Sequence, residues 1–177
     1  EAADQLALQT VYGATKLDGE QAVLASGAQA LVLRTSWVYG ARGQNFLLTM
    51  QRLFRERDQV NVVDDQIGAP TWSRMLAEVS AQILAQAQAG RLDLQAVRGL
   101  YHLSAGGQTS WYGFARAIWE AGDYRAQLAP IPSVAYPTPA RRPAYSVLDN
   151  QRFRDTFGLA LPDWRYSLAQ CLEEQQH

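Results

Sequence analysis

The chain has 177 residues, of which 47 % are apolar and 19 % are charged, and its formal net charge is −1. This length suits about one domain with a substantial core, and the balanced charge argues against nucleic acid as a partner. The single cysteine, Cys171, excludes an internal disulfide framework and a cysteine-based metal cluster, and it favours a reducing, cytoplasmic setting. We find no apolar run long enough to span a membrane and no signal peptide, although the sequence begins at Glu1 rather than Met.

Helices and strands are predicted to alternate along the chain. Hydrophobic periodicity predicts helices near 11–26, 45–54, 75–90, 110–119, 150–157 and from 164, and strands over 30–34, 60–63, 100–103 and 128–132. Asn45 and either Thr109 or Ser110 are candidate N-caps, and Gly27 and Gly158 are candidate C-terminal stops. The strand at 30–34 is a continuous apolar run, which is typical of a strand buried on both faces of a parallel sheet. The alternation predicts an α/β layered fold.

Tyr12 and Lys16 stand four residues apart in the first predicted helix, so they share one helix face. An ammonium beside a phenol stabilises the phenolate, which suits a proton donor in carbonyl–alcohol chemistry. Such chemistry needs a hydride carrier, yet no Gly-x-Gly-x-x-Gly follows a strand in this sequence. We therefore interpret the chain as the second half of an enzyme. For the pair alone, the alternative is an exposed Tyr and Lys on a helix surface.

Longer motifs carry a resemblance to a known family. They are Tyr12-Gly-Ala-Thr-Lys16, Val32-Leu-Arg-Thr-Ser-Trp-Val-Tyr-Gly40, Asp65-Gln-Ile-Gly-Ala-Pro-Thr71, Thr109-Ser-Trp-Tyr112 and Arg141-Arg-Pro-x-x-Ser-x-Leu-Asp149. In this order they are similar to those of dTDP-4-dehydrorhamnose reductases, which are extended short-chain dehydrogenases/reductases. The resemblance implies the C-terminal part of a Rossmann-like parallel sheet with flanking helices, lacking the N-terminal cofactor-binding half. It also implies a smaller substrate-binding subdomain, mainly about 64–75 and 104–150, interleaved with that core within a partial reductase domain over 1–177.

The same resemblance implies NAD(P)H-dependent reduction of the 4-keto group of dTDP-4-dehydrorhamnose to dTDP-L-rhamnose, with this fragment inactive alone. Tyr12 would donate the proton and Lys16 would bind the nicotinamide ribose of NADPH or NADH. Thr35 and Ser36 are further cofactor candidates, because ligands collect at the carboxyl ends of strands in α/β sheets. The candidate substrate contacts are Trp37, Asn45, Phe46, Gln66, Thr71, Arg141 and Arg142.

Each substrate candidate has a physical reason and a structural alternative. Trp37 offers a flat wall for a sugar or fills the core, and backbone N–H groups at Asn45 and Phe46 face a diphosphate or merely begin a capped helix. Thr71 binds the nucleotide-sugar with Gln66 or caps the next helix. Arg141 and Arg142 suit bidentate phosphate contacts, or they form a solvated basic loop.

Two other functions stay open. One is a different nucleotide-sugar epimerase, dehydratase or reductase, and the other is a non-catalytic regulatory or binding subunit of the same fold. No metal site stands out in the sequence; some family members are described as magnesium-dependent dimers, which leaves Mg²⁺ and a homodimer open. The expected partner is a dTDP-sugar rather than nucleic acid or a membrane. An uncovered sheet edge is also expected, and it would favour association with another chain.

Overall fold

The computed structural model describes residues 11–136 and 142–176. Its helices are α1 (Val11–Ala25), α2 (Phe46–Glu56), α3 (Ser73–Gln88), α4 (Trp111–Glu120), α5 (Gln151–Phe157) and α6 (Trp164–Glu174), with a 3-10 turn at Ser133–Ala135. Its strands are β1 (Leu31–Arg34), β2 (Val38–Tyr39), β3 (Gln59–Val63), β4 (Ile67–Gly68), β5 (Thr71–Trp72), β6 (Gly99–His102), β7 (Thr109–Ser110) and β8 (Gln127–Ile131). Every predicted helix and strand is confirmed. The two-residue strands β2, β4, β5 and β7 were not predicted.

The strands form pairs, and most of the pairs are parallel. β1 runs parallel to β6, β2 to β5 and β3 to β8, whereas β4 and β7 are antiparallel. Parallel pairs with flanking helices confirm the predicted α/β class. The predicted burial of β1 is wrong, because all four of its residues are only half-buried. Within the described residues β1 is hydrogen-bonded to β6 alone, and the adjacent helix α1 contains no buried residue.

Local sequence signals begin and end the helices. The side chains of Asn45 and Ser110 accept hydrogen bonds from the N–H groups of Leu48 and Gly113, which confirms both as N-caps. Gly158 ends α5 with a φ of 64°, a left-handed conformation that glycine adopts readily. Thr71 does not cap α3, since the N-cap residue is Trp72 and it makes no side-chain cap. That alternative for Thr71 was therefore wrong.

Two hydrophobic clusters form the core. The first cluster joins α2, α4 and α6 with β2, β3 and β5, and includes Leu47, Phe114, Trp164 and Cys171. The second cluster joins α3, α5 and β6, and includes Ile83, Tyr101, Phe153 and Phe157. The first cluster draws on α2 and α6 as well as on the predicted subdomain ranges, so the division at about 64–75 and 104–150 stays a prediction. Within the described ranges, no helix combines the length and hydropathy needed to cross a membrane.

Candidate functional site

Tyr12 and Lys16 lie together on the first turns of α1. The Lys16 Nζ atom is 5.3 Å from the centroid of the Tyr12 ring, within the range of an attractive cation–ring contact. Both side chains are exposed, and the Tyr12 residue is 71 % exposed. The phenol and the ammonium therefore converge, as the sequence predicted, and neither is enclosed in the core.

An ion pair sets the position of α1 against β1. The Arg34 guanidinium donates from Nε to Glu20 Oε1 (2.9 Å) and from Nη2 to Glu20 Oε2 (2.8 Å). Only residues 26–30 join the end of α1 to the start of β1, so the two elements run in opposite directions. Glu20 pairs with Arg34, the last residue of β1, and Tyr12 precedes Glu20 by about 12 Å along the helix axis, so Tyr12 lies beyond the carboxyl end of the strand. Arg34 thus attaches the helix that carries the Tyr–Lys pair to the strand that leads into Thr35 and Ser36.

The two residues after β1 provide hydroxyl groups of different exposure. Thr35 is exposed, whereas the Ser36 Oγ atom is buried and finds no hydrogen-bond partner within 11–136 and 142–176. A buried hydroxyl without a partner is unfavourable by about 1–3 kcal/mol, which makes Ser36 a candidate for bonding a ligand at this strand end. A phenol, an ammonium and hydroxyl groups are the kinds of hydrogen-bonding group that suit the ribose and carboxamide of a nicotinamide nucleotide.

Trp37 lies at the same strand end and adopts an unusual backbone conformation, with a φ of 48°. Its indole ring stacks on that of Trp111, with centroids 3.5 Å apart and planes 7° from parallel. The backbone of Gly68 also lies close to the indole ring of Trp37, at its Cε2, Cζ2 and Nε1 atoms. Trp37 is half-buried, so it is neither a fully exposed wall nor a fully enclosed core residue.

The side chains of Asn45 and Phe46 are engaged within the protein. Asn45 caps α2 and also donates from Nδ2 to the carbonyl oxygens of Gly40 (3.0 Å) and Arg42 (3.1 Å). Phe46 packs on Trp111, with ring centroids 4.6 Å apart, and on Phe114. Phe46 therefore reaches Trp37 indirectly, through Trp111.

Gln66 belongs to a hydrogen-bonded loop. Its Nε2 atom donates to Ser133 Oγ (2.9 Å), and Ser133 donates its N–H and its hydroxyl to the Asp65 carboxylate. The side-chain hydrogen bond from Ser133, followed by the backbone one, lowers the pKa of Asp65 below its usual value. This arrangement ties the loop before β4 to the 3-10 turn.

Thr71 is 0 % exposed. Its hydroxyl donates to the carbonyl of Ala69 (3.0 Å) and accepts from the N–H of Ala105 (3.1 Å). Its hydroxyl is therefore engaged within the protein rather than turned toward a ligand. Its role is to join the loop after β4 to the segment that follows β6.

The candidate arginines lie in or beside the segment that follows residue 136. Arg141 is outside the described residues, and Arg142 is exposed. Residues 144–146 run beside β4, because the N–H of Ile67 donates to the carbonyl of Ala144 (2.8 Å) and the N–H of Ser146 donates to the carbonyl of Ile67 (2.9 Å). The structure thus places the Arg142 segment next to β4, the strand that contains Gly68.

Sequence reasoning assigned no role to Trp111 or Ser133, and it gave Gly68 only the role of fixing the path of its loop. Trp111 and Gly68 lie within motifs that the sequence did single out, but a stacking partner cannot be read from a motif. Among the described residues there is no group of three or more His, Cys, Asp or Glu side chains that could hold a metal ion. Nothing here supports the Mg²⁺ that the resemblance left open.

The chain is similar to proteins of known families over its whole length. The family model for the RmlD substrate binding domain matches residues 1–177. The chain is 50 % identical over 171 residues to the dTDP-4-dehydrorhamnose reductase of Burkholderia thailandensis, covering 92 % of this chain and 57 % of that protein. It is 44 % identical to the reductase of Escherichia coli strain K12, covering 97 % and 58 %.

Solved structures show the same fold. A dTDP-4-dehydrorhamnose reductase from Bacillus anthracis, in complex with NADP, matches with a TM-score of 0.84 and 33 % identity over 93 % of this chain and 56 % of that one. The ortholog from Clostridium acetobutylicum matches with a TM-score of 0.85 and 34 % identity, covering 96 % and 57 %. The chain therefore spans a little over half the length of the relatives that it matches. It belongs to the RmlD substrate binding domain family.

Proposed function

We propose that this chain is the substrate-binding portion of an NAD(P)H-dependent reductase that converts dTDP-4-dehydrorhamnose to dTDP-L-rhamnose. The observation that carries the proposal is the convergence of Lys16 Nζ on the Tyr12 ring, 5.3 Å from its centroid. Family membership over the whole chain supports the substrate class. The names of the relatives support the reaction.

In this proposal the residues of the chain divide the work between proton transfer and binding. The Tyr12 hydroxyl donates a proton to the oxygen of the reacting carbonyl, and the positive charge of Lys16 stabilises the phenolate that remains. Trp37 contacts the sugar. Arg142, and Arg141 beside it in sequence, provide guanidinium groups for the diphosphate, while the loop at Gln66 lines the nucleotide.

The nicotinamide cofactor supplies the hydride when it is bound. Lys16, Thr35 and Ser36 would hold it, and the buried Ser36 hydroxyl without a partner supports this assignment. An NADP complex of the related Bacillus anthracis reductase supports the cofactor class. We assign no preference between NADPH and NADH. A cytoplasmic location and a homodimer stay predictions.

The test uses a chimera in which this sequence replaces its counterpart in the Burkholderia thailandensis reductase. We expect oxidation of NADPH that depends on dTDP-4-dehydrorhamnose, and no turnover by the 177-residue chain alone. Tyr12→Phe should lower kcat by about 10²–10⁴-fold, the range for a general acid, and leave the affinity for NADPH nearly unchanged. Tyr166→Phe, which alters another exposed tyrosine on α6, is the matched control.

The outcomes separate the alternatives. A chimera that binds a dTDP-sugar but never oxidises NADPH is a non-catalytic binding subunit. Turnover only with a different nucleotide-sugar identifies another enzyme of the superfamily. Full turnover by Tyr12→Phe would remove Tyr12 from the proton-transfer role.

A further inference from the structure

The backbone of Trp37 is held in a conformation that a bulky side chain rarely adopts. Its φ of 48° is the only positive value at a non-glycine residue among those the structure describes. Such a conformation is unfavourable by about 1–3 kcal/mol and persists where the surroundings enforce it. One enforcing contact is a hydrogen bond from the N–H of Thr71 to the carbonyl of Trp37 (3.1 Å). Other contacts involve the indole ring.

Trp111 provides the first ring contact. The two indoles are 3.5 Å apart and within 7° of parallel. Trp111 is itself fixed, because it is the first residue of α4, follows the N-cap Ser110, and packs against Phe46 with centroids 4.6 Å apart. The stacking surface presented to Trp37 thus packs against the first hydrophobic cluster.

Gly68 provides the second ring contact. A Cβ atom at Gly68 would lie 2.3 Å from Cε2 and 2.6 Å from Cζ2 and Nε1 of Trp37. Gly68 is itself paired with Thr109 in the β4–β7 ladder, so its backbone has little room to withdraw. Its φ is outside the left-handed region, which means that space for the indole, and not backbone conformation, is the reason for glycine here.

We propose that Trp111 and Gly68 are positioning residues that hold the Trp37 indole in a single orientation as a preformed wall for the sugar of the nucleotide-sugar. The proposal rests on the function proposed above. Trp37 is only half-buried, so part of this residue stays accessible while the stack and the glycine fix the orientation of its ring. Fixing a contact surface before binding raises affinity, because the ligand does not have to order the side chain.

The test compares two ligands by titration calorimetry on the chimera described under the proposed function. dTDP lacks the sugar and dTDP-L-rhamnose carries it, so the ratio of the two Kd values measures the gain from the sugar. In Trp111→Leu and Gly68→Ala we expect this gain to fall by about three- to tenfold, the range of an aromatic pair, with the Kd for dTDP unchanged. Trp111→Phe should restore most of the gain, because it keeps a stacking ring.

Trp119→Phe is the matched control for removing a tryptophan from α4. Trp119 donates from Nε1 to the carbonyl of Ala126, and its replacement should leave the gain from the sugar unaltered. The indole N–H resonance of Trp37, assigned with Trp37→Phe, gives an independent readout. Loss of the ring current of Trp111 should shift this resonance in Trp111→Leu, and loss of a single orientation should broaden it.

The results distinguish this inference from the proposed function. If the unaltered chimera binds neither ligand, the proposed substrate class fails and the inference fails with it. If the unaltered chimera binds both ligands, and Trp111→Leu and Gly68→Ala keep the full gain from the sugar, only the inference is overturned. An equal loss of affinity for dTDP and dTDP-L-rhamnose would also overturn it, because that pattern shows a general effect on folding.

Discussion

Replacing Glu20 by Gln should loosen α1 without unfolding the rest of the protein. α1 has no buried residue and belongs to neither hydrophobic cluster. The bidentate contact between Glu20 and Arg34 is therefore a large part of what holds this helix on β1. Gln keeps the length of the side chain but removes the negative charge and one of the two accepting oxygens.

The size of the effect follows from the exposure of the pair. Hydrogen bonds to charged groups contribute about 1.5–3 kcal/mol when they are protected from water. The Glu20 and Arg34 side chains are 16 % and 26 % exposed, so solvent screening reduces this contribution. We expect the free energy for opening α1 to fall by about 1–2 kcal/mol, which corresponds to about 5- to 30-fold more of the open state.

Amide hydrogen exchange resolves this local opening from global unfolding. In Glu20→Gln, amides of α1 should exchange about 5- to 30-fold faster, while those of α4 in the first cluster should not change. The matched control is Glu56→Gln, which breaks the exposed Arg52–Glu56 pair on α2. That pair is worth about 0.5 kcal/mol or less, so exchange in α2 should change at most about twofold.

Two results would refute the reasoning. Unchanged exchange in α1 would mean that other contacts hold the helix. An equal acceleration in α1 and α4, with a lower urea midpoint, would mean that α1 is part of the cooperative core despite its exposure. Either result would also mean that the Glu20–Arg34 ion pair does not position Tyr12 and Lys16 relative to the end of β1.

Three further predictions concern the core. Phe114→Ala removes a fully buried ring that contacts Tyr39, Phe46 and Trp164, so the free energy of unfolding in urea should fall by about 3–5 kcal/mol; a loss below about 1 kcal/mol would contradict the packing. Ser110→Ala removes the N-cap of α4 and the hydroxyl that donates to Asp64, and it should lower the free energy of unfolding by about 1–2 kcal/mol. Burial raises the pKa of Cys171 from 9.0 to about 12, so the unfolded thiol ionises while the folded thiol keeps its proton. The contribution of Cys171 to stability should therefore decline above about pH 9, by about 1.4 kcal/mol per pH unit, and Cys171→Ala should remove this part of the decline; an identical pH profile in the variant would contradict it.

The elements that the sequence predicted are those with local signals. α2 and α4 begin at side chains that cap them, and α5 ends at a glycine with positive φ, so a few adjacent residues determine each boundary. The short strands β2, β4, β5 and β7 have no such signal. They exist because distant segments pair, as Gly68 does with Thr109, and a two-residue run has no periodicity to detect.

In the candidate site, too, the features set by nearby residues were predictable and those set by distant residues were not. The Tyr12–Lys16 contact was predictable, because helical spacing alone brings positions i and i+4 together. The burial of Thr71 was not, since it depends on Ala105, a residue from another part of the chain. The contacts of Trp37 with Trp111 and Gly68 could not be predicted for the same reason. Sequence motifs identified the residues of the stack but could not show that Trp111 and Gly68 lie against that ring.

The two sides of the proposed site are supported in different ways. The proton-transfer side depends on α1, an exposed helix attached to β1 through Arg34, whereas Trp37 on the sugar side is braced by the first hydrophobic cluster. Loosening α1 should therefore reduce proton transfer and leave the affinity for a dTDP-sugar almost intact. Disrupting the Trp111 stack should do the opposite. In the chimera, Glu20→Gln should lower kcat more than it raises KM, and Trp111→Leu should raise KM more than it lowers kcat. If kcat and KM change in the same way in both variants, the two sides of the site are coupled rather than independent.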